Sequence, residues 1–273
     1  MYITKTCACA VAALALSTGA LSAETLKVTI TNNQAVGGFS LTPVYTSFHD
    51  GSFDAFDAGS AASAGVEEIA ELGSPATVRD ERLAVAPTSV GSAIGSPSGP
   101  PPVQPGETAS AEFSVDGTNN RYLSFLSMLL PSNDTFIGND NATAYEIFDM
   151  NGVYLGDRDI EVTAAQLWDA GTEVNDPNGG PAFVAGQAAT DGVDENGVVT
   201  LATDLIGFDG LTLATGDVLG SASLLSFEND RDNFSLITIS VERVAPIPLP
   251  ASAPLLLGAF GLLGWGARRR QRS

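Results

Sequence analysis

The sequence predicts an all-β protein, an antiparallel β-sandwich with one short helix, lying between two targeting segments. Short apolar runs alternate with polar residues, Gly and Asn turns separate the runs, and strands do not alternate regularly with helices. Hydrophobic residues make up 44% of the 273 residues, enough to bury one sizeable core. We therefore expect one main domain over residues 24–246.

The first part of this domain is predicted to contain two strands and the one helix. Apolar side chains alternate with polar ones in the first strand, at Leu26, Val28 and Ile30. A second strand covers Phe39 to Phe48, where Pro43 indicates an edge or a bulge. The helix covers Ala62 to Leu72, because apolar residues recur there at helical spacing and Gly73 follows as a stop.

The rest of the domain is predicted to contain strands and loops. Residues 89–106 are rich in Gly, Ser and Pro, which predicts a loop. The run from Tyr122 to Leu130 is the most apolar, so we expect it at the centre of a sheet. The other predicted elements are a strand at 111–115, an Asp116-Gly117 turn, an Asn151-Gly152 turn, an apolar run at 160–168, an acidic loop at 175–196 and a last strand at 234–244.

The N-terminus has the layout of a secretory signal peptide. Lys5 precedes an apolar run from Ala8 to Leu16, and small residues follow up to Ala23. The run is too short to span a membrane, which takes about 20 residues. We expect residues 1–23 to be removed. Both cysteines, Cys7 and Cys9, lie in this segment, so the mature chain would have no disulfide, no thiolate-bound zinc and no cysteine nucleophile.

The C-terminus predicts a membrane-spanning helix. Residues 251–267 are apolar and rich in Gly, and four arginines follow. Such a helix reaches across a thin membrane, and the arginines would keep the C-terminus in the cytoplasm. The bulk of the chain would then face outward.

A Pro-rich motif, Ile247-Pro248-Leu249-Pro250-Ala251, stands directly before this helix. Motif, helix and arginines in this order resemble the PEP-CTERM sorting signals in their VPLPA variant, with Ile247 in place of the usual Val. The resemblance implies a sorting signal over residues 247–273, recognition by an exosortase-type membrane enzyme, and a Gram-negative host that makes exopolysaccharide or biofilm. A plain C-terminal anchor is the alternative.

The mature chain is strongly acidic. The leader holds one of the 12 basic residues and the tail holds four, and neither holds an acid. Residues 24–247 therefore carry 7 basic and 32 acidic residues, a formal charge of −25. Such a surface repels nucleic acid and anionic lipid and attracts divalent cations. Adaptation to a saline habitat is an alternative explanation of the charge.

The sequence contains few residues that could catalyse a reaction. His49 is the only histidine, and no nucleophile elbow, zinc pattern or phosphate loop is present. Paired carboxylates can cleave glycosides, but such pairs arise by chance among 32 acids. We expect no enzymatic activity and keep a secreted, carboxylate-dependent polysaccharide-degrading enzyme as the alternative.

Two acidic loops begin where strongly apolar strands stop, after Leu130 and after Trp168. If both loops leave one end of the sandwich, Asp134, Asp169 and Glu173 can converge on one point. Oxygen ligands without thiol or imidazole, on flexible loops, favour Ca²⁺ over Mg²⁺. Solvated loop acids that bind no metal are the alternative.

Several runs resemble the spondin N-terminal domain family. They are Val28 to Asn32, Phe39 to Pro43, Ser47 to Asp50, Glu68 to Glu71, Ser127 to Gly138 and Trp168 to Glu173. The resemblance spans about Thr25 to Val244. It implies an eight-stranded, C2-like antiparallel sandwich with a Ca²⁺ site at one end, found in extracellular matrix and adhesion proteins.

The same resemblance assigns residues to the metal site. Asp134, Asp169 and Glu173 fall on the metal-binding loops, and Asp140 is a weaker candidate. Glu173 stands where animal members have Asp. We therefore expect an exported protein of the cell surface or matrix, used in adhesion or biofilm and binding one Ca²⁺. Its expected partner is an extracellular matrix or exopolysaccharide component, whereas a matrix filler without a specific ligand is a further alternative.

Overall fold

The computed structural model describes residues 23–96, 102–203 and 205–245. Of the predicted leader only Ala23 is described, and the predicted C-terminal helix and sorting signal lie outside the described residues. The chain divides into two units, Met1–Arg243 and Val244–Ser273, and every element below belongs to the first. Within the described ranges, no helix is long and apolar enough to cross a membrane.

The described residues form twelve strands and three α-helices. The strands are β1 (Glu24–Asn32), β2 (Ser40–Leu41), β3 (Val44–His49), β4 (Val90–Ile94), β5 (Thr108–Val115), β6 (Tyr122–Leu130), β7 (Thr135–Gly138), β8 (Tyr145–Glu146), β9 (Arg158–Thr163), β10 (Leu167–Asp169), β11 (Thr200–Leu201) and β12 (Ser235–Arg243). The helices are α1 (Ala64–Leu72), α2 (Ala76–Val85) and α3 (Ser221–Asn229). Short 3-10 helices cover Ala164–Gln166, Ala189–Asp191 and Leu205–Phe208.

The strands form two antiparallel sheets, which confirms the predicted all-β architecture. A four-stranded sheet has the order β5-β1-β12-β9. The larger sheet runs β11-β10-β7-β6-β3-β4, and β2 and β8 also pair with β6. In β1 the side chains of Leu26, Val28 and Ile30 are fully buried, as their alternation predicted, and they share one apolar core with residues of the larger sheet.

Strand β6 lies at the centre of the larger sheet, as its apolar run predicted. Its side chains alternate between the core and the opposite face of the sheet, because successive residues of a strand point to opposite faces. Phe125 and Leu129 pack into the core between the two sheets. Leu126 packs on the opposite face, in a second cluster that includes Val66 and Ile69 of α1.

Helix α1 ends at Leu72, as the sequence predicts, and begins at Ala64, two residues after the predicted start. The Ser63 hydroxyl accepts a hydrogen bond from the Val66 N–H at its start. Gly73 ends it in the left-handed region, at φ 66°. The prediction of a single helix is wrong, however, because α2 and α3 are present.

Neither missed helix shows an apolar stripe in the sequence. In α2 the buried residues are Val78 and Arg82. The Arg82 guanidinium donates to the Tyr45 hydroxyl at 2.7 Å and to the Ser89 hydroxyl, so a charged residue occupies an inward position where a pattern search expects an apolar one. Helix α3 begins with a serine-rich stretch that has little helix preference.

Three predicted segments differ from the structure. The apolar run at 160–168 is two strands in different sheets, β9 and β10, joined by a 3-10 turn that Thr163 and Gln166 cap. The strand predicted at 39–48 is interrupted at Pro43 and forms β2 and β3. The loop predicted at 89–106 contains β4, whose middle residues are exposed and which is held by backbone pairing to β3. The resemblance implied eight strands, whereas the described residues form twelve.

The close packing of Gly73, at the end of α1, against Thr42 can be tested by mutation. Replacing Gly73 with Ala would force a left-handed φ on a residue with Cβ and would push that Cβ into the buried Thr42 side chain. At Gly106, φ is 79° and no atom lies within 4 Å of an added Cβ. We expect Gly73→Ala to lower the free energy of unfolding by about 1–3 kcal/mol more than Gly106→Ala. Equal losses in urea unfolding would contradict the predicted clash.

Candidate functional site

Asp134 lies in the tight turn that joins β6 to β7. The Ser132 hydroxyl donates to the Leu129 carbonyl at 2.7 Å and accepts the Thr135 N–H at 3.2 Å, which fixes the turn. Because β10 pairs with β7, the loop after β10 leaves the sheet at the same end. Both acidic loops therefore leave one end of the sandwich, which meets the condition for their predicted convergence.

The Asp134 carboxylate joins these two loops. It is fully buried, and its Oδ2 accepts the backbone N–H of Thr172 at 2.8 Å and of Glu173 at 3.0 Å. The Thr172 hydroxyl donates to the same oxygen at 3.3 Å. Its other oxygen, Oδ1, is also buried and has no hydrogen-bond partner. The protein thus supplies hydrogen bonds to Oδ2 and none to Oδ1, which could accept a ligand.

Asp169 ends β10 beside Asp134. Its Oδ1 accepts the Gly171 N–H at 2.8 Å, and its Oδ2 accepts the Asn175 side-chain N–H at 2.6 Å. Asn175 in turn has a buried Oδ1 without a hydrogen-bond partner. Sequence reasoning did not select Asn175, because a single amide in an acidic loop carries no distinctive pattern.

Glu173 donates its backbone N–H to Asp134, and its side chain lies near further acids of α1 and the acidic loop. The residue is 5% exposed, and Oε2 is buried without a hydrogen-bond partner. Its carboxylate lies against Gly192, where any Cβ would overlap it. Glu71, at the end of α1, is its strongest charged neighbour, ahead of Asp134 and Asp194. Glu71 was also absent from the predicted site.

Burial and repulsion by neighbouring carboxylates raise the pKa values of Asp134 and Glu173. Burial raises the pKa of Asp134 to about 6, and the Asp169 charge adds to it. Burial raises the pKa of Glu173 to about 7, with further contributions from Glu71 and Asp134. The ionised carboxylates are therefore held in an unfavourable environment near neutral pH, which a bound cation would relieve.

The oxygens without partners are of the chemical type that a hard cation prefers. Asp134 Oδ1, Glu173 Oε2 and Asn175 Oδ1 are buried acceptors, and carboxylate and amide oxygens are the donors that Ca²⁺ prefers. Across residues 23–96, 102–203 and 205–245, no group of three or more His, Cys, Asp or Glu side chains is arranged to hold a metal ion. Binding of one ion by Asp134, Asp169 and Glu173 therefore stays a prediction.

The weaker candidate, Asp140, has a structural contact. Its Oδ1 accepts the Ala58 N–H at 2.8 Å and so ties the segment before α1 to the loop after β7. Asp140 is exposed. This hydrogen bond accounts for the side chain without a metal.

His49 does not form a nucleophile and base pair with its neighbour Ser124. Its Nδ1 accepts the Gly51 N–H at 3.1 Å, so the ring proton of the neutral form lies on Nε2. Nε2 then donates to the Ser124 hydroxyl, 2.8 Å away, and cannot remove its proton. Burial lowers the pKa of His49 to about 4, against the raising effect of Asp50.

The model of the Spondin_N family matches residues 34–195, more than half of the 273 residues. The chain belongs to the Spondin_N family. The matched region contains Asp134, Asp169 and Glu173, whereas β1 and β12 lie outside it, so the match is shorter than the predicted span of Thr25 to Val244. The family is typically extracellular, which agrees with the predicted export. A search of curated proteins finds no match.

The buried histidine predicts a pH dependence of stability in this Spondin_N domain. The native state keeps His49 neutral down to about pH 4, whereas the unfolded state binds a proton below its ordinary pKa of 6.5. The stability that comes from keeping His49 neutral is therefore fully present above about pH 6.5, and it is lost as the pH falls toward about 4. Between about pH 7.5 and 4.5 the loss amounts to about 2–3 kcal/mol.

The measurement is urea unfolding of the wild type and of His49→Gln across this range. Gln keeps a donor for Ser124 but does not titrate, and it leaves the acids unchanged. We expect the variant to lose less stability on acidification than the wild type. Parallel curves for the two proteins would contradict the assignment.

Proposed function

We propose that this Spondin_N protein is an exported, non-enzymatic module of the cell surface or matrix, stabilised by one Ca²⁺ and used in adhesion or biofilm. The observation that carries the proposal is the buried Asp134 carboxylate, whose Oδ2 receives three hydrogen bonds while Oδ1 receives none. Membership in an extracellular family supports the export.

Calcium would act as a clamp between two loops. Asp134 and Asp169 would hold it, with Glu173 as the third predicted ligand, and the ion would supply the positive charge that their environment lacks. Asp134 already fixes the backbone of Thr172 and Glu173, so the loops are preorganised for binding. Extracellular Ca²⁺ modules commonly have dissociation constants of about 10⁻⁴–10⁻³ M.

Calcium should therefore stabilise the fold, measured as the melting temperature of the purified domain. At about 100 times the dissociation constant, mass action adds about 2.7 kcal/mol. For a domain of this size the expected rise in melting temperature is about 5–11 °C. Magnesium at equal ionic strength should have a much smaller effect, and an equal response to both ions would indicate screening of the acidic surface.

Isosteric variants separate metal binding from folding. Asp134→Asn and Asp169→Asn should abolish the calcium response, and Glu173→Gln tests the third ligand. Because Asp134→Asn removes a buried charge that Asp169 repels, the metal-free variant should be as stable as the wild type or more stable. Asp159→Asn, on an exposed position of β9, removes the same charge elsewhere and should leave the response unchanged.

Two targeting signals complete the proposal. Strand β1 begins at Glu24, directly after the predicted cleavage point, and pairs with β5 and β12, so removal of residues 1–23 would leave both sheets whole. Strand β12 ends at Arg243, four residues before the Ile247-Pro248-Leu249-Pro250-Ala251 motif. The tail would anchor the chain in the inner membrane until an exosortase-type enzyme removes it.

Intact mass spectrometry of the protein from its native host tests this processing. The expected species begins at Glu24 and ends near Pro250. A Pro250→Ala variant should keep more of the tail if the motif is recognised by the processing enzyme. C-terminal arginine peptides in the dominant wild-type form would instead support a permanent anchor, and a thiol-reactive form would contradict removal of the leader.

A second candidate function is a polysaccharide-degrading enzyme. The raised pKa values of Asp134 and Glu173 favour it, because a glycosidase needs a carboxyl group that is protonated near neutral pH. Their burial argues against it, since Asp134 is 0% and Glu173 5% exposed and neither side chain presents its oxygens to solvent. Turnover of exopolysaccharide that disappears in Glu173→Gln would reverse this choice.

A further inference from the structure

We infer that a cleft beside Asp169 binds the amine-bearing sugars of a polysaccharide, such as linked glucosamine units. The cleft has a volume of about 480 Å³ and lies at the β10–β11 edge of the larger sheet. It is a different place from the buried Asp134 and Glu173 oxygens, because neither residue lines it. The inference deepens the proposed matrix role and rests on that role for its biological setting.

The wall of the cleft is formed by two loop backbones in direct contact. Gly197 donates its N–H to the Gly171 carbonyl at 2.8 Å. A Cβ on Gly171, which has φ of 67°, would lie 2.7 Å from the backbone N and O of Val198. A Cβ on Gly197 would lie 2.9 Å from the Gly171 carbonyl oxygen. Only glycines allow this approach, so the two loops form a fixed wall.

The polar groups of the cleft are mainly hydrogen-bond acceptors. Asp169 and Glu195 contribute carboxylates, and Asn175 contributes a side-chain amide. The Asn175 amide N–H is already directed to Asp169 at 2.6 Å. No Lys or Arg is among the described residues that line the cleft. A complementary ligand must therefore supply donors and positive charge.

Two further features favour a sugar over the side chain of a basic peptide. Thr200 adds a hydroxyl group, which can both donate to and accept from the hydroxyls of a sugar ring. Val174 and Val198, each 42% exposed, are the larger apolar groups among the lining residues and could contact the C–H face of a ring. No aromatic residue is among those that line the cleft, so it offers no stacking platform to a neutral glycan. The ammonium group would thus provide the main attraction.

The cleft also accommodates more than a metal ion. Its volume lies within the range of ligand pockets, about 300–1,000 Å³, whereas a cation at Asp134 needs only the small space around one carboxylate. Asp169 and Asn175 are common to both places. Glu195 and Thr200 are not among the oxygens that would hold calcium, so sugar binding would persist when calcium is removed.

The test measures binding of a glucosamine hexamer to the purified domain by calorimetry at about pH 6, where the amines are protonated. The matched probe is the N-acetylglucosamine hexamer, which has the same rings without the charges, and a lysine hexamer supplies charges without the rings. We expect the glucosamine hexamer to bind at least about tenfold more tightly than either, both with calcium and with a chelator. Equal binding of the lysine hexamer would reduce the effect to diffuse attraction by the acidic surface and overturn the inference.

Variants then locate the site. Glu195 is exposed and its backbone N–H is held by the Thr172 carbonyl at 2.6 Å, so Glu195→Gln should fold normally. It should weaken glucosamine binding by about fivefold, and Thr200→Val should weaken it without a change of charge. Glu112→Gln, on an exposed position of β5, is the matched control and should have no effect. Equal losses in Glu195→Gln and Glu112→Gln would also overturn the inference. A lost calcium response with intact sugar binding would contradict only the metal site.

Discussion

The double-sided burial of β6 is the constraint on which the other features depend. One face of this strand completes the core between the sheets, and the other supports α1 through Leu126. Because β6 is fixed on both faces, its register with β3 and β7 is fixed as well: a slip of one residue would exchange the two faces. The turn from β6 to β7 therefore has a defined position, and Asp134 lies in that turn.

This rigid support explains how the fold tolerates an unfavourable acidic site. A pKa of about 6 for Asp134, against an ordinary value of 3.8, corresponds to about 3 kcal/mol at a pH above both values. Folding alone would favour an apolar or amide side chain in that turn. A strained charge on a well-packed scaffold is the arrangement expected of a binding site, where binding of the ligand restores part of the stability.

The sequence predicted what depends on local pattern and missed what depends on tertiary contact. β1, β6 and α1 were found because their periodicity and the Gly73 stop are properties of the chain itself. Helix α2 was missed because its inward Arg82 is satisfied by Tyr45 and Ser89, which are distant or unremarkable in the sequence. Strand β4 was missed because the edge of a sheet can be formed by backbone pairing alone.

The same distinction applies to the site. The convergence of Asp134 and Asp169 followed from the predicted ends of two strands, which was sufficient because β7 and β10 are paired. The direction of the Glu173 side chain depends on Gly192 and Glu71, which reach it from the acidic loop and from α1. No spacing rule relates these segments. The resemblance to the spondin family pointed to the loops that contain Asp134 and Asp169, but it could not describe the contacts that Gly192 and Glu71 make with Glu173.

The extent of the family match and the extent of the folding unit differ, for a physical reason. The match covers residues 34–195, yet β1 and β12 are the two inner strands of the four-stranded sheet and pair along most of their length, from Leu26 opposite Arg243 to Asn32 opposite Ile237. Without them the sheet would keep only its edge strands, and the core face of β6 would lose its cover. The apolar side chains that fix the position of Asp134 therefore depend on segments outside the matched region. The proposed metal site would therefore depend on the whole domain from Glu24 to Arg243, and the proposed processing at both ends would preserve that domain.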